Sequence, residues 1–232
     1  MIPVLLVALA LAAMAHGEAT ERWPSFLPPA GTFPDAIAAG VARAWGRPTL
    51  TRQVDGERAH APFDLYAALI DAPEVTAAGA RHLGLARYDV GRLGPAWYRA
   101  DDGAGAQGEY HVLVRDRTRR VMFSRGRHVG RLLGTITGVA LIDLHLEPQD
   151  GYVAQRLTAW VVIDNRIVAM LARLLIPIFG QVADRKLQEG FRVAGRVAEW
   201  AVSRPSEFCP WLDAEPLPTE TRRPALAAAG CR

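Results

Sequence analysis

Apolar positions along this chain change period twice. From Asp35 to Trp45 they recur at intervals of four, with Ile37, Val41 and Trp45 on one side, which predicts a short helix. Thr49 to Val54 predicts a short strand. Pro62 to Leu69 opens a second helix with Phe63, Leu65, Tyr66 and Leu69 on one side. Pro73 interrupts it, and helical spacing resumes over Glu74 to Leu83. The period then falls to two. Gln107 to Arg115 sets Tyr110, Val112 and Val114 on one face and Glu109, His111 and Arg115 on the other. Asp116 to Arg119 is a polar turn, and Arg120 to Val129 returns as a strand with Val121 and Phe123 in register. Gly138 to Glu147 alternates again, with Ile142, Leu144 and Leu146 against Leu141, Asp143, His145 and Glu147. Pro148-Gln149-Asp150-Gly151 is a turn signal, and Tyr152 to Ile163 is the return strand. A four-residue loop there sets Asp143 opposite Arg156, and Ile142 and Leu144 against Leu157 and Gln155.

Asp164 or Asn165 caps a long helix that runs to about Ser203. Ile167, Leu171, Leu174, Ile178 and Val182 form its stripe, continued by Leu187, Phe191, Ala194 and Ala198, and Pro177 predicts a kink. The stretch from Glu18 to Pro34 is a Pro-rich lead-in, and from Pro205 onward a Pro-rich tail is expected to be extended or disordered. The chain thus divides into a leader over 1–15, an extension with a short helix over 16–47, a domain over 48–203 and a tail over 204–232.

The order of elements predicts an α+β domain in which a curved antiparallel sheet wraps a long C-terminal helix. Three stretches carry a resemblance: Ala61-Pro62-Phe63-Asp64-Leu65-Tyr66-Ala67-Ala68-Leu69-Ile70-Asp71, Leu146-Glu147-Pro148-Gln149-Asp150-Gly151, and Phe191 to Trp200. The first is similar to the opening helix of the START-like, or helix-grip, superfamily of polyketide cyclases, dehydrases and lipid-transport proteins. The second resembles its strand-turn-strand before the last sheet strand, and the third the end of its final helix. The resemblance implies an elongated cavity between sheet and final helix for sterols, lipids, polyketides or other apolar molecules. Members range from carriers to cyclases, so the fold alone names no activity.

Composition adds an address. Residues 1–15 carry no Asp, Glu, Lys or Arg, and the apolar run from Ile2 to Ala13 is shorter than the ~20 residues of a spanning helix. Ala13-Met14-Ala15 gives a small-x-small cleavage pattern, so cleavage before His16 and a periplasmic or secreted protein are expected; a retained anchor is the alternative. The net charge is +3 and Lys186 is the only Lys. Zinc-finger spacing, RNA-binding motifs and aromatic-basic interleaving are missing, so a nucleic-acid partner is not expected. Cys209 and Cys231 either close a disulfide across the tail or stand as two thiols.

Candidate chemistry is sparse. His111, His128 and His145 are the titratable candidates on the sheet, and a His beside Asp143 could act as a general base. Asp143 and His145 fall on the charged face of their strand, which is expected to meet solvent. Metal-ligand spacing, a nucleophile elbow and a phosphate loop are not found, and no cofactor is expected. Arg115, Arg117, Arg119, Arg120, Arg125, Arg127 and Arg131 cluster on one hairpin and its exit, where they could rest on an anionic membrane surface or simply be solvated. The expected function is therefore binding of a hydrophobic small molecule or lipid. The residues expected near the cavity are Tyr110, Val112, Phe123, Ile142, Leu144, Leu157, Leu171, Leu174 and Ile178, with Gln155 orienting the ligand or holding a buried water. The alternatives are a cyclase or dehydratase using His111 or His145, and a docking module using the arginines.

Overall fold

The computed structural model describes residues 23–130, 134–165 and 176–231, the last without the side chains of 176–186. The leader, Arg131, Leu171 and Leu174 lie outside the described residues, as does the Ile178 side chain. A 3-10 turn at Ala30–Thr32 leads to α1 (Asp35–Gly46), β1 (Leu50–Asp55), α2 (Phe63–Asp71) and α3 (Pro73–His82). Six strands follow: β2 (Asp89–Gly94), β3 (Trp97–Asp101), β4 (Ala106–Arg115), β5 (Arg119–Gly130), β6 (Gly134–Gln149) and β7 (Tyr152–Ile163). Helices α4 (Ile176–Ser203), α5 (Pro205–Ala214) and α6 (Thr219–Ala228) end the chain.

The strands form one antiparallel sheet in the order β1-β7-β6-β5-β4-β3-β2. The first strand thus returns beside the last, and α2, α3 and α4 cover one face. This is the helix-grip α+β architecture. A row of glycines helps to curve the sheet, because Gly108 pairs with Gly126 and Gly126 with Gly138. A Cβ on Gly108 would lie 2.6 Å from the Arg125 carbonyl oxygen, and one on Gly126 2.8 Å from that of Gln107. Neighbouring backbones crowd this row, and only glycine lets the strands bend there.

Each face of the sheet has its own core. The inner one joins Leu144, Leu146, Val153 and Leu157 to Leu65, Tyr66 and Leu69 of α2 and to Phe191 and Val197 of α4. The outer one sets Val41 and Ala44 of α1 against Val121, Phe123, Leu141 and Val162. The outer face was expected to meet solvent, and this is corrected: α1 covers it. Gly40 lies so close to the Phe123 ring that any side chain there would collide with it.

Three more differences follow, the first two from register. The β6–β7 hairpin turns through Asp150 and Gly151 alone, with Gly151 at φ +78°. Asp143 therefore faces Thr158, and Arg156 faces His145. The shift is two residues, so each side chain keeps its expected face. Second, a bulge between Val112 and Val114 breaks the alternation of β4. It moves Val114 into the outer core and Arg115 to the inner side, where its Nε lies 3.2 Å from Asp71 Oδ1. Third, β2 and β3 were not anticipated from the sequence.

The tail is helical rather than extended. Phe208, Leu212 and Ala225 are fully buried in the inner core, and a Cys209–Cys231 disulfide ties α5 to the residues after α6. Pro205 stands in the first turn of α5, a position that favours proline, and Pro218 immediately precedes α6, while Pro210 and Pro224 lie within the two helices.

Candidate functional site

Paired residues across an antiparallel sheet share a face, so the inner surface can be followed row by row. At one end lie Leu146 and Gln155, then Leu144, Leu157 and Val54, all buried. This end is closed. Gln155 is 4% exposed; its amide nitrogen donates to the Glu57 carbonyl at 2.7 Å and its oxygen accepts from the Tyr66 hydroxyl. Burial holds the Tyr66 phenol well above its ordinary pKa, so it stays a neutral donor. Arg120, opposite Leu144, is also buried and binds Asp71, at the end of α2, through two hydrogen bonds of 2.8 Å.

The next rows are different. Val112, Met122 and Ile142 are only partly buried, as are Tyr110, Ser124, Ala140 and Val161. Beyond them come Ala100, Gly108, Gly126 and Gly138, which project little or nothing into the space above. The open end is bounded on the β2–β3 side by aromatic and charged groups. Tyr98 stacks on Tyr110 at 5.1 Å, Arg92 lies 5.3 Å over the Tyr98 ring, and Arg92 Nε donates to buried Glu74 at 3.0 Å. Desolvation pushes the Tyr110 phenol up, so at neutral pH it offers an O–H to whatever lies against it. At the margin of this end, a cleft of about 480 Å³ lies between the α3–β2 loop, the β3–β4 turn and Glu189 of α4.

The expected site residues fall into four groups. Tyr110, Val112 and Ile142 line the open end. Leu144 and Leu157 belong to the closed core. Gln155 already has two protein partners, which corrects its expected role toward a ligand or water. Phe123 points to the outer face under α1, so its assignment to the cavity is corrected too.

His111 and the Asp143–His145 pair lie on the face that the alternation assigns them, opposite the inner one. His111 is on the outer face, stacked on Trp97 at 5.2 Å, and desolvation lowers its pKa. His145 Nε2 lies 3.2 Å from Asp143 Oδ2, but both are on the outer face and Asp143 is held by two hydrogen bonds from Arg119 at 2.8 and 2.7 Å. His128 is exposed near the end of β5. The hairpin arginines are mostly committed within the molecule: Arg115 and Arg120 to Asp71, Arg119 to Asp143, Arg127 to Gln107, and Arg117 over the Phe63 ring. Among the described residues no cluster of His, Cys, Asp or Glu could hold a metal ion. Among the same residues no helix is long and apolar enough to cross a membrane, which says nothing of a β-barrel.

Tyr98, Met122, Ser124, Arg92 and Glu74 were missed by sequence reasoning. On β5 the apolar pair Val121 and Phe123 attracted the inward assignment, whereas pairing with Ile142 sends Met122 inward. Two buried faces on one sheet remove the simple rule that apolar means inside the grip.

No family model matches the chain, and no curated protein matches it. Solved structures with a similar path include Ara h 8.0201, at 14% identity and TM-score 0.42, covering 64% of this chain and 97% of that one. An uncharacterized protein from Rhizobium leguminosarum has 16% identity and TM-score 0.43, covering 65% and 94%. The di-domain ARO/CYC BexL of the BE-7585A biosynthetic pathway has 16% identity and TM-score 0.41, covering 71% of this chain and 58% of its own. Likeness at this distance assigns neither ligand nor activity to the present chain.

Proposed function

We propose that the protein binds an apolar small molecule or lipid chain against the open end of the inner sheet face. One observation carries the reading: on a single continuous face, Leu146, Gln155, Leu144, Leu157 and Val54 are buried, while in the adjoining rows, beside buried Ala159 and Tyr98, the residues Tyr110, Val112, Met122, Ile142 and Val161 are left partly exposed. Apolar surface left half-covered inside a fold is stabilised by a ligand, at about 25 cal/mol per Å² removed from water. Tyr110 and Ser124 supply the few polar contacts such a ligand needs for orientation. His111 and His145, the two proposed for a cyclase or dehydratase, turn outward, so the binding reading stands ahead of an enzyme that uses them. We also place the protein in the periplasm or outside the cell. The apolar leader supports this, and so does the Cys209–Cys231 disulfide, since such bonds persist in oxidising compartments.

The test is organic extraction of purified protein followed by mass spectrometry, alongside the Ile142→Trp variant. A stoichiometric apolar compound that is lost in Ile142→Trp is expected. An empty wild-type protein that also fails to bind added fatty acids, fatty esters or sterols overturns the reading. N-terminal sequencing of the periplasmic fraction tests export: a mature chain beginning at His16 is expected, and recovery only from cytosol overturns it.

A further inference from the structure

The cleft at the margin of the open end contains charges of both signs, but they are not equally free. Asp102 accepts N–H bonds from Ala104 and Ala106 at 2.7 and 2.9 Å and so shapes its own turn. Glu189 accepts from the Tyr88 hydroxyl at 3.2 Å. Arg81 donates to the Tyr88 carbonyl and lies 3.9 Å from Asp89. Arg87 is the fourth, and among the described residues its guanidinium has no hydrogen bond or ion pair. Its base is nevertheless fixed. Gly103, at φ +65°, packs so tightly that a Cβ there would lie 2.7 Å from the Arg87 Cβ and 3.0 Å from its carbonyl oxygen. The cleft therefore presents one anchored, uncommitted cation.

The cleft is also next to the glycine row. Asp102 to Ala104 lie in the β3–β4 turn, and Ala100 and Gly108 form the second pair inside it, after Asp101 and Gln107, and the first on the inner face. A molecule whose head sits in the cleft has the glycine row as its floor toward Tyr110, Val112 and Ile142.

We propose that the ligand is a single-chain amphiphile with an anionic head, a carboxylate or a phosphate monoester, held by Arg87 in the cleft. This rests on the apolar-binding reading above and adds polarity and direction to it. Guanidinium matches either head through paired N–H donors.

Calorimetric titration of the full oxidised protein with dodecanoate, dodecyl phosphate and methyl dodecanoate tests it. At least one of the two anions is expected to bind roughly fivefold or more tightly than the ester, a preference that weakens with salt. Arg87→Gln should erase the preference and leave ester affinity unchanged, while Arg87→Lys keeps part of it. The ratio of the two anions tells which head the cleft takes. Equal affinity for ester and anions, or a preference that survives Arg87→Gln, overturns the Arg87 anchor and leaves the apolar site standing. If none of the three binds, both readings fall. Arg87 is exposed and outside the core, and unchanged thermal unfolding of Arg87→Gln establishes that lost preference is not lost folding.

Discussion

The two ends of the inner sheet face use the same strands and nearly the same alternation, yet one is buried throughout and the other is left partly exposed. At the closed end the sheet meets long side chains from the helices: Leu65, Tyr66 and Leu69 from α2 and Phe191 from α4 fill the space above Leu144 and Leu157. At the open end the sheet itself withdraws, through Ala100 and the glycines 108, 126 and 138. A curved sheet thus packs tightly where large residues face large residues, and its residues stay partly exposed next to a bare floor. The difference is one of side-chain volume on a shared backbone, so substitutions only one pair apart should behave differently.

Leu144 and Ile142 make that comparison directly, being neighbours on the same face of β6. Leu144→Ala removes a fully packed side chain and should cost about 2–4 kcal/mol in urea unfolding. Ile142→Ala should cost about 1 kcal/mol, because its side chain is already partly uncovered, while weakening apolar ligand binding. Equal costs would mean that the open end is core as well.

The disulfide belongs to the closed end. It ties α5 and α6 across 22 residues, and both helices contribute to the same core as Leu144. Replacing Cys209 and Cys231 with Ser should lower stability by about 3 kcal/mol, chiefly by freeing the unfolded chain. Ligand affinity at the open end should change little. A large loss of affinity with little loss of stability would place the tail at the site instead.

Most of the closed end could be read from the chain. Leu65, Tyr66 and Leu69 stand on one helical side, Leu144 and Leu146 alternate, and Phe191 falls on the stripe of the last helix. These signals survive because packing reinforces local periodicity. The open end was harder to see, since β2–β3 lacks clean alternation and its contribution is a stack of Tyr98 on Tyr110 with an arginine above. Phe123 misled because α1 buries the back of the sheet, so an apolar residue was equally at home on either side. Arg115 misled because a single bulged residue reverses the faces that follow it. The tail misled because prolines at helix starts resemble prolines in irregular chain.

Tyr66 offers a finer test within the closed end. Tyr66→Phe keeps the ring and removes the donor to the Gln155 oxygen, leaving a buried acceptor with one fewer partner. The expected loss is about 1–2 kcal/mol, read from the unfolding midpoint. Ligand affinity should stay the same, because Gln155 is bound on its other side to the Glu57 carbonyl and does not reach the open end. A drop in affinity larger than the drop in stability would return Gln155 to the site.

The smallest expected effect lies on the outer face, and it separates that face from both ends of the inner one. Desolvation beside Trp97 lowers the His111 pKa, with Glu109 opposing weakly. The folded protein therefore prefers the neutral ring. Its contribution to stability is fully present above the unfolded value near 6.5, and is lost as pH falls through the lower folded pKa. In that window the unfolded chain takes up a proton that the folded chain resists. Unfolding midpoints measured from pH 7.5 down to pH 5 should fall slightly more for the wild type than for His111→Gln. The affinity for an uncharged ester should not follow that difference, since His111 and Tyr110 project to opposite faces of β4. If ester affinity does track the protonation of His111, the two faces are coupled through the strand, and treating the outer core as a mere backing for the site is wrong.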